Sequence, residues 1–149
     1  MKRSERMQPV RKLKQQEERQ LARKFARAQQ ELQREQKQLT MLRQYQAEYF
    51  QGLTGSQQQA RTGSISASEL EKYQMFLSRL EKAIQNQHQV TVIKEKSVEA
   101  ARQKWAEANA RLKAMDNLIA KMRFEEAREQ DRREQRMIDD LPLRNNRYD

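Results

Sequence analysis

The sequence has no cysteine, three glycines, two prolines, one histidine and no long apolar run. Each shortage excludes something. Without cysteine there are no disulfides and no thiolate metal sites, and a reducing compartment is the expected setting. The glycines are isolated within one stretch, Gly52 to Gly63, so no glycine-rich phosphate loop is available. No stretch reaches the roughly 18 apolar residues that a membrane span needs. The start, Met1-Lys2-Arg3-Ser4-Glu5-Arg6, has no apolar segment behind it, so no secretory signal is expected. The single histidine, His88, reads as a solvated helix residue. Carboxylates alternate with bases at i, i+3 and i+4, which is the ordinary surface of a long helix. No catalytic constellation emerges, and the sequence calls for no cofactor and no metal.

What is present is charge and periodicity. Apolar residues make up 36% and charged residues 35% of the 149, with a net charge of +10. That is too little apolar matter for a globular core and suits long solvated helices. From Leu70 to Met122 a seam can be read at Leu70, Tyr73, Leu77, Leu80, Ile84, Gln87, Thr91, Lys94, Val98, Ala101, Trp105, Ala108, Leu112, Met115, Ile119 and Met122. Its steps alternate three and four throughout. A straight helix drifts off a seven-residue repeat by about 20° per heptad, so a repeat held this long predicts a left-handed coiled coil. Trp105 falls on the seam and reads as core. A helix from about residue 66 to about 139 would be roughly 110 Å long at 1.5 Å per residue.

A second seam precedes it: Leu21, Phe25, Ala28, Leu32, Glu35, Leu39, Leu42, Gln46, Tyr49 and Leu53. It predicts a first helix over about residues 9–53, opened by Pro9 in its first turn. Residues 1–8 are expected to be loose. Gly52, Gly55, Ser56 and Gly63 predict a loop over about 54–65. Ser66-Ala67-Ser68-Glu69 is a capping box that starts the second helix, with Ile65 and Leu70 placed as a hydrophobic staple. Leu141-Pro142 is expected to stop that helix, leaving a loose tail over 140–149. The predicted fold is all-α, one domain over 1–149: a long two-helix antiparallel coiled-coil hairpin whose second helix is longer and overhangs.

The register follows if partner numbers sum to about 122–123. Leu53 then meets Leu70, Tyr49 meets Tyr73, Leu42 meets Leu80, and Glu35 meets Gln87, a polar layer that would fix the register. Tyr45 faces Phe76 and Gln38 faces Ala83 on one flank. With Leu42, Tyr49, Leu80 and Gln87 they form a patch of the kind that marks a docking site. At the other end Met7 meets Met115. Ile119 and Met122 are then expected to be uncovered, beside the basic cluster Arg11, Lys12 and Lys14. The first thirty residues hold ten Lys and Arg against three Glu.

At the patch the sequence also becomes recognisable. Gln38-Leu39-Thr40-Met41-Leu42-Arg43-Gln44-Tyr45-Gln46-Ala47-Glu48-Tyr49 and Tyr73-Gln74-Met75-Phe76-Leu77-Ser78-Arg79-Leu80-Glu81-Lys82-Ala83-Ile84 resemble the FliJ family. That family supplies the coiled-coil component of the bacterial flagellar type III export apparatus. The resemblance implies a non-enzymatic stalk similar to the γ subunit of rotary ATPases. Its implied partners are the hexameric export ATPase FliI, the membrane export-gate protein FlhA and export chaperones. It implies a cytoplasmic protein, peripheral on the cytoplasmic side of the cell membrane through its partners only. The gate contact would carry over to Gln38, Leu42, Tyr45, Tyr49, Phe76, Leu80, Ala83 and Gln87. Gln87, with His88 next to it, stands where the family often has histidine. The ATPase contact is expected at Arg11, Lys12, Lys14, Ile119 and Met122. The alternative reading, motivated by the +10 charge, is a basic coiled coil that binds nucleic acid or another acidic partner. Against it, no base-stacking aromatics sit among the bases, so no nucleic-acid partner is expected.

Overall fold

The structure, a computed structural model, describes residues 1–63 and 66–146. These form two helices, α1 (Arg3–Arg61) and α2 (Ala67–Asn146), with no strand among the described residues. The fold is an all-α helical hairpin, and α2 is longer, 80 residues against 59.

The chain groups into two compact units, Met1–Ala22 with Lys104–Asp149, and Arg23–Gln103. A layer of a two-helix pair touches only the layers beside it, so no shared core ties distant levels together. In each unit contact partners in α2 fall in number as those in α1 rise, so the helices are antiparallel. The first unit has Ser4 at Glu126, Arg11 at Asp116 and Glu18 at Trp105. The second has Glu31 at Lys94, Glu35 at Gln87 and Tyr49 at Phe76. Most of these sums exceed 122–123. Helical side chains lean toward their own N-terminus, so each reaches past the level of its Cα in opposite senses.

All sixteen seam positions of α2 are buried or half-buried. The α1 seam extends backward in the same rhythm through Glu18, Lys14, Arg11, Met7 and Ser4, every one partly or fully buried. Both helices therefore outrun the sequence-based bounds. Helix one begins at Arg3, not about residue 9, because residues 3–8 pack on α2. It ends at Arg61, not 53, since Gly52 and Gly55 are tolerated inside a helix at a cost of about 1 kcal/mol each. Gly63, at φ 80°, ends it, so the connection spans 62–66 and not 54–65. Ser66 Oγ accepts from the Glu69 N–H at 3.3 Å, as a capping box requires. The Ile65 half of the expected staple lies outside the described residues. At the far end α2 runs through residue 142 to Asn146. A proline has helical φ and forfeits one backbone bond, which does not by itself end a helix. Of the expected loose tail, 147–149 lie outside the described residues.

Candidate partner-binding surfaces

In the unit Arg23–Gln103 the polar layer holds the pair in register. Gln87 Nε2 donates to the Glu35 backbone carbonyl at 3.1 Å and also to the Glu35 carboxylate. One level on, Lys94 Nζ lies 3.2 Å from Glu31 Oε2, and Thr91, buried, donates its hydroxyl to the Gln87 carbonyl at 2.9 Å. Leu39 and Leu80 are the buried aliphatics here.

Toward the loop the flank turns aromatic. Tyr49 and Phe76 touch with ring centroids 4.5 Å apart and planes at 46°. Tyr45, Tyr49 and Phe76 each keep 40–47% of their surface exposed. Tyr73, the residue expected opposite Tyr49, lines one hollow with the Tyr49 and Phe76 rings. The opposed lean of side chains on antiparallel helices brings Tyr49 forward to Phe76. Of the other predicted patch residues, Gln38 is exposed, and Leu42 and Ala83 are half-buried. Leu80 is 8% exposed, and Gln87 is half-buried with its side-chain amide donating to Glu35. His88 beside it is exposed.

A groove of about 590 Å³ on this unit was not anticipated. Phe50, Leu53, Leu77 and Ala47 line it between Arg43 and Glu81. Phe50, 61% exposed, directly follows a seam position, and a large aromatic there was the available signal.

In the unit Met1–Ala22 with Lys104–Asp149, the predicted open end is closed. Ile119 is 3% and Met122 8% exposed, because residues 3–8 continue the helix over them. Glu126 reaches the first turn of α1: its carboxylate accepts from the Ser4 N–H at 2.9 Å and the Ser4 hydroxyl at 2.6 Å. A helix start leaves its first N–H groups without backbone partners, and a carboxylate from the other helix satisfies one here. The Ser4 hydroxyl first, and its N–H next, hold the Glu126 carboxyl below the usual glutamate range. The expected basic cluster is also partly engaged. Arg11 pairs with Asp116, Lys14 lies 3.6 Å from Glu17, and Lys12 is exposed. Trp105, expected on the seam as core, is half-buried and donates its indole N–H to Glu18 at 2.8 Å.

Against known families, the sequence matches the one described as "Flagellar FliJ protein" over residues 2–147, nearly its whole length. The chain belongs to the FliJ family. Neither a curated protein nor a solved structure matches it. As a FliJ-family chain it is a component of the flagellar type III protein export apparatus. Among the described residues of this FliJ chain no helix is long and apolar enough to cross a membrane, and no His, Cys, Asp and Glu group could hold a metal.

Proposed function

We propose that the chain is a non-enzymatic, stalk-like coupler of the export machinery, engaging the export ATPase FliI at one end and the gate protein FlhA at the other, and escorting export chaperones. It would work in the cytoplasm and reach the membrane through these partners. The observation that carries this is the aromatic flank of Tyr45, Tyr49 and Phe76 in a FliJ-family chain. Three large rings half-open to water on one side of a charged coiled coil are costly to leave uncovered, and aromatics of this kind anchor interfaces.

The test is Tyr45→Ala combined with Phe76→Ala. Both side chains sit beside the seam, so helicity should persist while gate affinity drops by roughly 2 kcal/mol or more, the scale of an interface anchor. Circular dichroism and a binding titration against the soluble part of the gate protein measure the two effects. Loss of helicity together with binding would show that the rings serve folding, and unchanged binding would remove the flank from the interface.

A further inference from the structure

In the unit Arg23–Gln103 the surface charge is one-sided. Over residues 23–47 the exposed charged residues of α1 are Arg23, Lys24, Arg27, Arg34, Lys37 and Arg43, all cations. The carboxylates of that stretch, Glu31 and Glu35, are half-buried and turned to Lys94 and Gln87 of α2. On α2 the exposed charges alternate in sign instead: Glu71 beside Lys72, Glu81 beside Lys82, Glu95 beside Lys96. Arg23, Arg27, Arg34 and Lys37 follow at steps of four, seven and three. Those are heptad steps, so the four share one stripe, on the side of α1 opposite its seam at Phe25, Ala28, Leu32 and Leu39. The stripe is roughly 21 Å long at 1.5 Å per residue. Lys24 and Arg43 stand at its two edges. Like charges at i, i+4 (Arg23 and Arg27) and at i, i+3 (Arg34 and Lys37) repel, and no carboxylate on this face relieves them.

We propose that this stripe is an adsorption surface for an anionic lipid bilayer, on which the unit lies with α1 against the headgroups and α2 away from them. The complementarity selects the occupant. Cations in a line on one face of a helix all reach the headgroups of a plane at once. A nucleic-acid duplex curves away from such a line, and the stripe has no aromatic on which a base could stack. An acidic protein would need carboxylates along the same length with no cation among them, whereas protein surfaces intersperse the two signs. Gln30, Gln33 and Thr40 fill the gaps in the stripe with hydrogen-bonding groups, and its one large exposed apolar neighbour is Met41. The contact is therefore adsorption without insertion, which sets it apart from an amphipathic membrane helix. It stands independently of the stalk reading: it adds a direct lipid contact to those made through partner proteins, and its test needs none of them.

Co-sedimentation of the full chain with vesicles tests this. The chain should bind vesicles of mixed phosphatidylglycerol and phosphatidylcholine, leave them as salt rises, and ignore phosphatidylcholine alone. Arg27→Gln, Arg34→Gln and Lys37→Gln together should weaken binding by tenfold or more, at about fivefold per cation near the surface. Lys72→Gln, Arg79→Gln and Lys82→Gln remove the same charge from the matching outward positions of α2 and should weaken it by about threefold at most, since they lie away from the lipid. Glutamine keeps the helix propensity of the residues it replaces, and circular dichroism checks both triple variants. Equal losses in the two would mean that net charge, not the stripe, drives binding, and would overturn the proposal. So would failure to bind the anionic vesicles. Tighter binding to a DNA duplex, or to polyglutamate, at the same ionic strength would assign the stripe to a nucleic acid or an acidic protein and overturn the lipid reading. A second measurement reads orientation. The chain has no cysteine, so Gln30→Cys on the stripe and Gln89→Cys on the outward face of α2 can each carry a single fluorophore. Vesicle binding should shield the label at position 30 from acrylamide quenching and leave the one at 89 open. Equal shielding of both rules out the α1-down arrangement.

Discussion

Gly55 and Gly63 are the same residue with opposite consequences. Gly55 lies inside α1, and a Cβ added there would meet nothing within 4 Å. Gly55→Ala should therefore stabilise the protein by about 0.5–1 kcal/mol, the helix-propensity gain. Gly63 has φ 80°, where an L side chain is strained, so Gly63→Ala should cost about 1 kcal/mol. Urea unfolding of both variants decides the two signs. Glu126 gives a pH dependence. Its folded carboxyl titrates below its unfolded value, first because of the Ser4 hydroxyl, then the Ser4 N–H, with Lys2 and Arg123 adding to the same direction and partial burial opposing. The contribution is thus present above the ordinary glutamate range and lost as pH falls through the depressed folded value. The charged groups around it are Lys2, just before α1, and Arg3 from α1, and Arg123, Glu125, Glu129 and Arg133 from α2. The urea midpoint should fall as the pH drops through that range, and Glu126→Gln should remove that step.

At the scale of the element, the Glu35–Gln87 layer sets register at some expense of stability. Gln87→Leu leaves the Glu35 carboxylate against an alkyl group and should cost about 1–3 kcal/mol. Adding Glu35→Leu should recover that loss or exceed it, because a buried polar layer is often no better than a packed apolar one. The double variant should then lose specificity: thiols introduced by Leu42→Cys and Leu80→Cys should crosslink within the wild-type pair but less uniformly in the double variant. This layer was legible in the sequence, and so was every seam position of α2, because apolar spacing reports the buried face directly. The start of α1 was not. Ser4, Arg11, Lys14 and Glu18 fall on the seam but are polar, and their burial depends on partners such as Glu126 and Asp116 more than a hundred residues away. For the same reason Ile119 and Met122 read as uncovered from the sequence. On the aromatic flank the residues were legible, but the ring contact of Tyr49 with Phe76 was not, because register fixes Cα levels and the lean of side chains decides which rings touch. Beyond Glu126 the described residues of α2 from Ala127 to Leu141 are exposed on every side except for what they give each other. Trypsin should cut first there, at Arg128, Arg132, Arg133 or Arg136, as gel analysis of a time course would show.

For the molecule as a whole, charge outweighs ion pairing. The net charge is +10. Arg23, Arg27, Arg34 and Lys37 are exposed on α1 with no ion pair among the described residues. Between residues 19 and 47 the carboxylates are Glu31 and Glu35, and both turn to α2. The ion pairs that do form are largely exposed, and such pairs contribute about 0–1 kcal/mol each. Self-repulsion of the unpaired cations therefore outweighs them. Raising salt should lift the thermal midpoint, whereas a fold held by its surface ion pairs would lose stability. Association with an acidic partner should slow over the same range, because steering by the net charge is screened.

The two-helix pairing with a polar layer at Glu35 and Gln87 has an arithmetic consequence for how such a chain can change. One residue inserted into α1 between that layer and the connection at 62–66 turns everything on one side of it by about 100° and takes the leucines off the seam. Seven inserted into α1 alone restore the face but slide one helix past the other, so that Glu35 no longer finds Gln87. Only a pair of heptads, one in each helix at the same level, keeps both face and level. The distance from the polar layer to the aromatic flank is therefore quantised, in steps of roughly 10 Å at 1.5 Å per residue. Drift in length by single residues is closed to this chain, and any lengthened or shortened form must have changed twice.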